Sequence, residues 1–150
     1  MKIEVDQSGR IEETNRDTVL ALSNGFNYSI RIHRRTKRKL LEDFRKQGKP
    51  KLFTIKVFSA GVYFLIKDYI NKTDRIVIDV EYDGKSSLIK SILAEYINGK
   101  NEVKEKISFK SIGRKSNAHI LAIEIYRKNK KADRVISYKE LTKLINKKSR

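Results

Sequence analysis

The stretch Arg75–Gly84, "RIVIDVEYDG", decides how this chain folds. Ile76, Val77 and Ile78 make a near-continuous β-branched apolar run, as expected of a central strand covered on both faces. The same stretch carries Asp79 and Glu81, two positions apart, so along a strand both side chains leave one face of the sheet. Burying a carboxylate costs several kcal/mol unless it is paired or bound to metal. Two explanations compete: Asp79 and Glu81 pair with Lys or Arg at the strand end or lie past the covered part of the sheet, or they serve a site.

Outward from this strand the periodicities alternate between two and 3.6 residues. "MKIEVDQSG" sets Ile3 and Val5 against Lys2, Glu4 and Asp6, the pattern of a half-buried strand ending at Asp6, and Ser8-Gly9 marks a turn. "DTVLALSNG" and "YSIRIH" read as two more short strands joined by the Asn24-Gly25 turn, which completes a three-strand antiparallel meander. Leu40, Leu41 and Phe44 then fall at helical spacing, and Gly48 to Pro50 interrupt that helix. "LFTIKVFSAGVYFLIKDYI" is long enough for a buried helix, expected over about Thr54 to Ile70.

Past the central strand, "KSSLIKSILAEYIN" places Leu88, Ile89, Ile92, Leu93 and Ile97 on one helix face, with Asn98-Gly99 as its stop. "KISFKSIG" predicts a fifth strand, and "SNAHILAIEIYRK" a helix capped by Ser116 or Asn117. "SYKELTKLINKK" ends the series with a capping box, Ser137 followed by Glu140. The expectation is one α/β domain over residues 1–150.

Composition narrows the function. The 35 Lys and Arg residues against 18 Asp and Glu give a net charge of +17, which attracts polyanions, nucleic acid first among them. The absence of cysteine excludes a disulfide framework, a thiol nucleophile and a zinc ribbon. No apolar run reaches the roughly 18 residues of a membrane span and no signal-type segment follows Met1, so a cytoplasmic protein without a membrane partner is expected. "DQSG" is no nucleophile elbow, and "SIGRKS" lacks the Walker spacing.

Asp6 and one of the Asp79/Glu81 pair can meet across adjacent strands and chelate Mg²⁺, a hard cation that takes carboxylate oxygens and keeps several waters. The order of elements together with these acids resembles the ribonuclease H-like superfamily, which includes ribonuclease H, RuvC-type resolvases, DDE transposases and Piwi domains. The resemblance implies a central mixed five-stranded sheet, the meander plus two further strands, flanked by helices. It also implies a divalent-metal-dependent nuclease, using Mg²⁺ or Mn²⁺, in which Asp6, Glu81 and His119 act as catalytic metal ligands and Asp79 as a ligand or its neighbour. Branched DNA, an RNA–DNA hybrid or a single strand would be the substrate. Many members carry an acid where this chain has His119, whereas Piwi domains use histidine. A fourth carboxylate is common in the family, and Glu42, Asp43 and Asp68 all qualify.

From its own helix, His119 among Ala118, Ile120, Leu121 and Ala122 reads as a packed residue; only the resemblance turns it toward a metal. Tyr82 reads as packing beside the site or as a surface for stacking. Basic runs at Arg31, Arg34, Arg35, Lys37, Arg38 and Lys39, at Arg114 and Lys115, and at Arg127, Lys128, Lys130, Lys131 and Arg134 are not interleaved with acids. Arg34, Arg35, Lys37, Arg38, Arg114 and Lys115 are the expected phosphate contacts, with Arg114 and Lys115 leading into the helix of His119. His33 is expected at the surface. The competing function is a non-catalytic nucleic-acid-binding module; side-chain ends of Asp6, Glu81 and His119 more than about 8 Å apart would favour it. A transposase core is disfavoured for want of room for an end-recognition domain, and a homodimer is left open.

Overall fold

In a computed structural model, which describes residues 1–97, 101–127 and 130–147, the alternation in Lys2–Asp6 becomes the two faces of a sheet. Strand β1 (Lys2–Ser8) pairs antiparallel with β2 (Thr18–Ser23), and β2 with β3 (Tyr28–Ile32). Asn24 and Gly25, at φ 76° and 121°, make the β2–β3 turn. Strand β4 (Arg75–Asp79) lies parallel to β1 on its other side, and β5 (Ile107–Lys110) parallel to β4.

The sheet has six strands rather than five. A two-residue strand, β6 (Arg134–Val135), lies parallel to β3, giving the order β5-β4-β1-β2-β3-β6. Two residues are too few to show a periodicity, so this edge strand leaves no pattern in the sequence.

Helices α1 (Arg34–Lys46), α2 (Phe53–Ile66), α3 (Ser86–Tyr96) and α6 (Tyr138–Ile145) share the larger core with Ile3, Val5, Leu20, Leu22, Ile30, Ile32, Ile76 and Ile78. A short α4 (Asn101–Lys106) precedes β5. The buried helix is shorter than the expected Thr54–Ile70, because Lys67 to Lys72 leave it through turns. α2 lies against the sheet at Gly61, where a Cβ would come within 2.8 Å of Leu20 Cδ1. Leu88, expected on the buried face of α3, is 43% exposed; Ile89, Ile92 and Leu93 face inward as expected, joined by Tyr96. Asn98-Gly99, expected as the stop of that helix, and Lys128 lie outside the described residues.

Helix α5 (Asn117–Tyr126) packs on the opposite face, where Ala122 and Ile125 meet Val19 and Ala21. Its N-cap is Ser116, whose hydroxyl accepts from the Ala118 N–H. The Ser137 capping box forms as expected at α6. No helix among the described residues is long and apolar enough to cross a membrane.

Candidate metal centre

The pairing of β1 with β2 sets Asp6 opposite Ala21, and the pairing of β1 with β4 sets Glu4 opposite Val77. By the two-residue period, Asp6 and Asp79 then leave the same face of adjacent parallel strands, the face that α5 covers. β4 ends at Asp79, so Glu81 does not lie on the strand as the sequence pattern implied. The chain nevertheless brings it back: one carboxylate oxygen each from Asp6, Asp79 and Glu81 lie within 4.8 Å of one another.

Backbone amides orient two of these acids. The Gln7 N–H donates to Asp6 Oδ1 at 2.8 Å, and the Ile112 N–H to Asp79 Oδ1 at 2.9 Å. Burial raises Asp6 above the usual carboxylate range, against the lowering effect of the Gln7 N–H and His119. Glu81 is pushed up to about 8, first by burial and then by the charge of Asp6 and its contact with Asp79. No lysine or arginine among the described residues is in ion-pair contact with these three acids; Asp6 is met by His119, and Glu81 relieves the crowding by holding its proton.

His119 completes the group from above. Its Nδ1 donates to Asp6 Oδ2 at 2.7 Å, and its side chain keeps 30% of its surface exposed, so it is no packed core residue. It stands beside Asp6 and outside the mutually close carboxylate trio. Asp43 accepts a bond from the Tyr138 hydroxyl and Asp68 pairs with Lys67, while Glu42 is exposed on α1; none joins the trio.

No family model, curated protein or solved structure matches this chain.

The basic residues divide into two kinds. Arg34, Arg35, Arg38, Arg114 and Lys115 keep exposed or partly exposed side chains, and the loop carrying Arg114 and Lys115 is tied to the trio through Ile112. Lys37, expected to bind phosphate, is overturned by the structure. It is fully buried, its Nζ donating to Arg10 O at 3.0 Å, Glu13 O at 2.8 Å and Thr18 Oγ1 at 3.1 Å. Burial pulls its ammonium down to about 8. Its spacing to Leu40 and Phe44 puts it on the buried stripe of α1, a signal present in the sequence but masked by the flanking basic residues. Arg31 is likewise built in, reaching Asp17 at 3.1 Å and Ile125 O at 2.7 Å. His33 is half exposed beside Asp17, as expected of a surface residue.

Arg10 has a role that no local pattern announces. Its Nη2 donates to Glu81 O at 2.8 Å and its guanidinium sits 5.0 Å from the centre of the Tyr82 ring. The Tyr82 hydroxyl is held in turn by the Ile11 N–H at 3.2 Å, so Tyr82 is packing and not a stacking platform. Lys37, by gripping the carbonyls of Arg10 and Glu13, anchors the loop that clamps Glu81. Gly9 starts this loop at φ 79°, where a Cβ would come within 2.3 Å of Asp17 O.

Proposed function

We propose that the chain is a divalent-metal-dependent nuclease of ribonuclease H-like architecture that hydrolyses phosphodiester bonds in DNA or RNA. The observation that carries this reading is the convergence of Asp6, Asp79 and Glu81 at the ends of adjacent strands, with His119 in contact with Asp6. Acids on the first and fourth strands of the chain can meet only if those strands are neighbours, as β1 and β4 are.

The donor set fits a hard cation: three carboxylate oxygens, partly buried, in a chain of net charge +17. Asp6, Asp79 and Glu81 would hold Mg²⁺ or Mn²⁺, with His119 as the further ligand. A divalent ion held there would supply activation of a water for in-line attack and charge stabilisation at the leaving oxygen. The chain's own part is positional. The Gln7 and Ile112 amides hold the two aspartates in orientation, Arg10 holds the backbone of Glu81, and Glu81 releases its proton to become a ligand. Arg114 and Lys115, on the loop tethered to Asp79, draw in the phosphate backbone.

Cleavage of a hybrid duplex, a four-way junction and single strands in Mg²⁺, Mn²⁺ or EDTA tests this. Metal-dependent cleavage should be lost in Asp6→Asn while binding persists. Binding without cleavage of any substrate would make the protein a non-catalytic binding module.

A further inference from the structure

Two basic runs about a hundred residues apart meet on one surface. Arg34 and Arg35 open α1 directly after β3, and Lys130 and Lys131 precede β6, which lies beside β3. Together with Asp17 and Arg31 they line an open groove of about 780 Å³. Asp17 is the acid of the groove and is already engaged, by Arg31 Nη1 at 3.1 Å and the Arg34 N–H at 2.9 Å. The Arg34 guanidinium reaches Asp17 only at 3.9 Å, with half its side chain exposed, and Lys130 lies 3.8 Å from the half-exposed Glu124. Arg35 and Lys131 form no ion pair among the described residues.

Arg35 and Lys131, which form no ion pair among the described residues, and Arg34 and Lys130, paired only at 3.9 and 3.8 Å, therefore line a groove whose acid, Asp17, is taken up by Arg31 and the start of α1, leaving an excess of positive charge that an anion would relieve.

Helix α5 connects this groove to the acidic trio. His119 near its start touches Asp6, and Ile125 near its end accepts from Arg31. Six residues of helix rise put the two about 9 Å apart along the axis. Among the described residues the groove lining contains no Phe, Tyr or Trp, and its one ring, His33, is held beside Asp17 at 3.4 Å. Proteins that grip single strands combine cations with aromatic faces on which bases stack, whereas cations alone suit the outer backbone of a duplex, whose bases face inward.

We propose that this groove binds the phosphate backbone of a double-stranded nucleic acid flanking the bond to be cut, so that the duplex is held at the groove and at the acidic trio. Only the second point of attachment rests on the metal-centre reading.

The test is fluorescence anisotropy of a labelled DNA duplex and of its single strand, titrated in EDTA over a range of salt. Arg34→Ala/Arg35→Ala and Lys130→Ala/Lys131→Ala are compared with wild type and with Lys46→Ala/Lys49→Ala, a charge-matched control at the far end of α1. Each groove variant should flatten the log K against log salt slope by about 0.9 for every phosphate it no longer neutralises, and so by up to about 2. The preference of wild type for duplex over single strand should shrink with it, and the control should keep the wild-type slope. Arg35→Ala and Lys131→Ala, which break no ion pair among the described residues, serve if a double variant fails to fold. Groove variants no different from the control would overturn the proposal, as would a single strand bound as tightly as the duplex. Loss of duplex binding by wild type in EDTA is a failure of the groove; normal binding with no cleavage in Mg²⁺ is a failure of the metal centre.

Discussion

Asp79→Asn should stabilise this protein in the absence of metal and weaken its response to metal. The ligand oxygens of Asp6 and Asp79 lie within 4.8 Å, and at pH 7 Glu81, raised to about 8, keeps its proton. The remaining pair of like charges costs about 3.5 kcal/mol at that distance with an effective dielectric of about 20. Asp79 is partly exposed, so solvent screening reduces this to about 1–2 kcal/mol. Asparagine keeps an oxygen for the Ile112 N–H, so the bond that holds the Ile112 loop survives. For a chain of this size, the gain should raise the melting temperature in EDTA by about 2–8 °C. Wild type should gain about 2.7 kcal/mol from Mg²⁺ at a hundred times its dissociation constant, and the variant less. Thermal unfolding of both proteins in EDTA and in Mg²⁺ reads the crossover. If Asp79→Asn melts lower than wild type in EDTA, Asp79 is a structural anchor for the Ile112 loop and the charge-repulsion reasoning is wrong.

The raised Glu81 gives two linked pH effects. In EDTA the folded state holds a proton that the unfolded chain releases between about 4.5 and 8, so stability should fall as pH rises through that window, and Glu81→Gln should remove that part of the slope. Mg²⁺ must displace the same proton, so its affinity by calorimetry should climb with pH and level off above about 8. Lys37→Met should destabilise by about 2–4 kcal/mol in denaturant titrations, since two carbonyls and a hydroxyl lose their donor, while the salt slope of duplex binding stays at the wild-type value. Arg10→Ala should leave the acids present but loosen Glu81, reducing Mg²⁺ affinity by about tenfold or more.

Much of the fold is legible from short-range pattern. The alternation through Ile3 and Val5, the Asn24-Gly25 turn and the apolar run Ile76–Ile78 each predict a strand or turn that the structure contains. The Ser137 cap places the start of α6, and of the two candidates Ser116 and Asn117 the structure selects Ser116 as the cap of α5. Where pattern misleads, a competing interaction is at work. Leu88 and Ile89 both suit a helix face, and only packing against α2 selects Ile89.

The candidate site is legible as residue types but not as geometry. Asp79 and Glu81 draw notice because carboxylates next to Ile76–Ile78 are costly, yet β4 stops before Glu81, and its return to Asp6 depends on Arg10 and Tyr82. His119 among Ala118, Ile120, Leu121 and Ala122 points to the core on helical periodicity, and its bond to Asp6 sends it the other way.

The sequence by itself determined the longer elements, the excess of positive charge and the absence of thiol chemistry, because backbone periodicity and composition are local properties. Only the tertiary structure decided which acids converge and which basic runs share a groove. Those outcomes depend on the parallel pairings of β1 with β4 and β3 with β6, between residues some seventy to a hundred positions apart that no local pattern encodes.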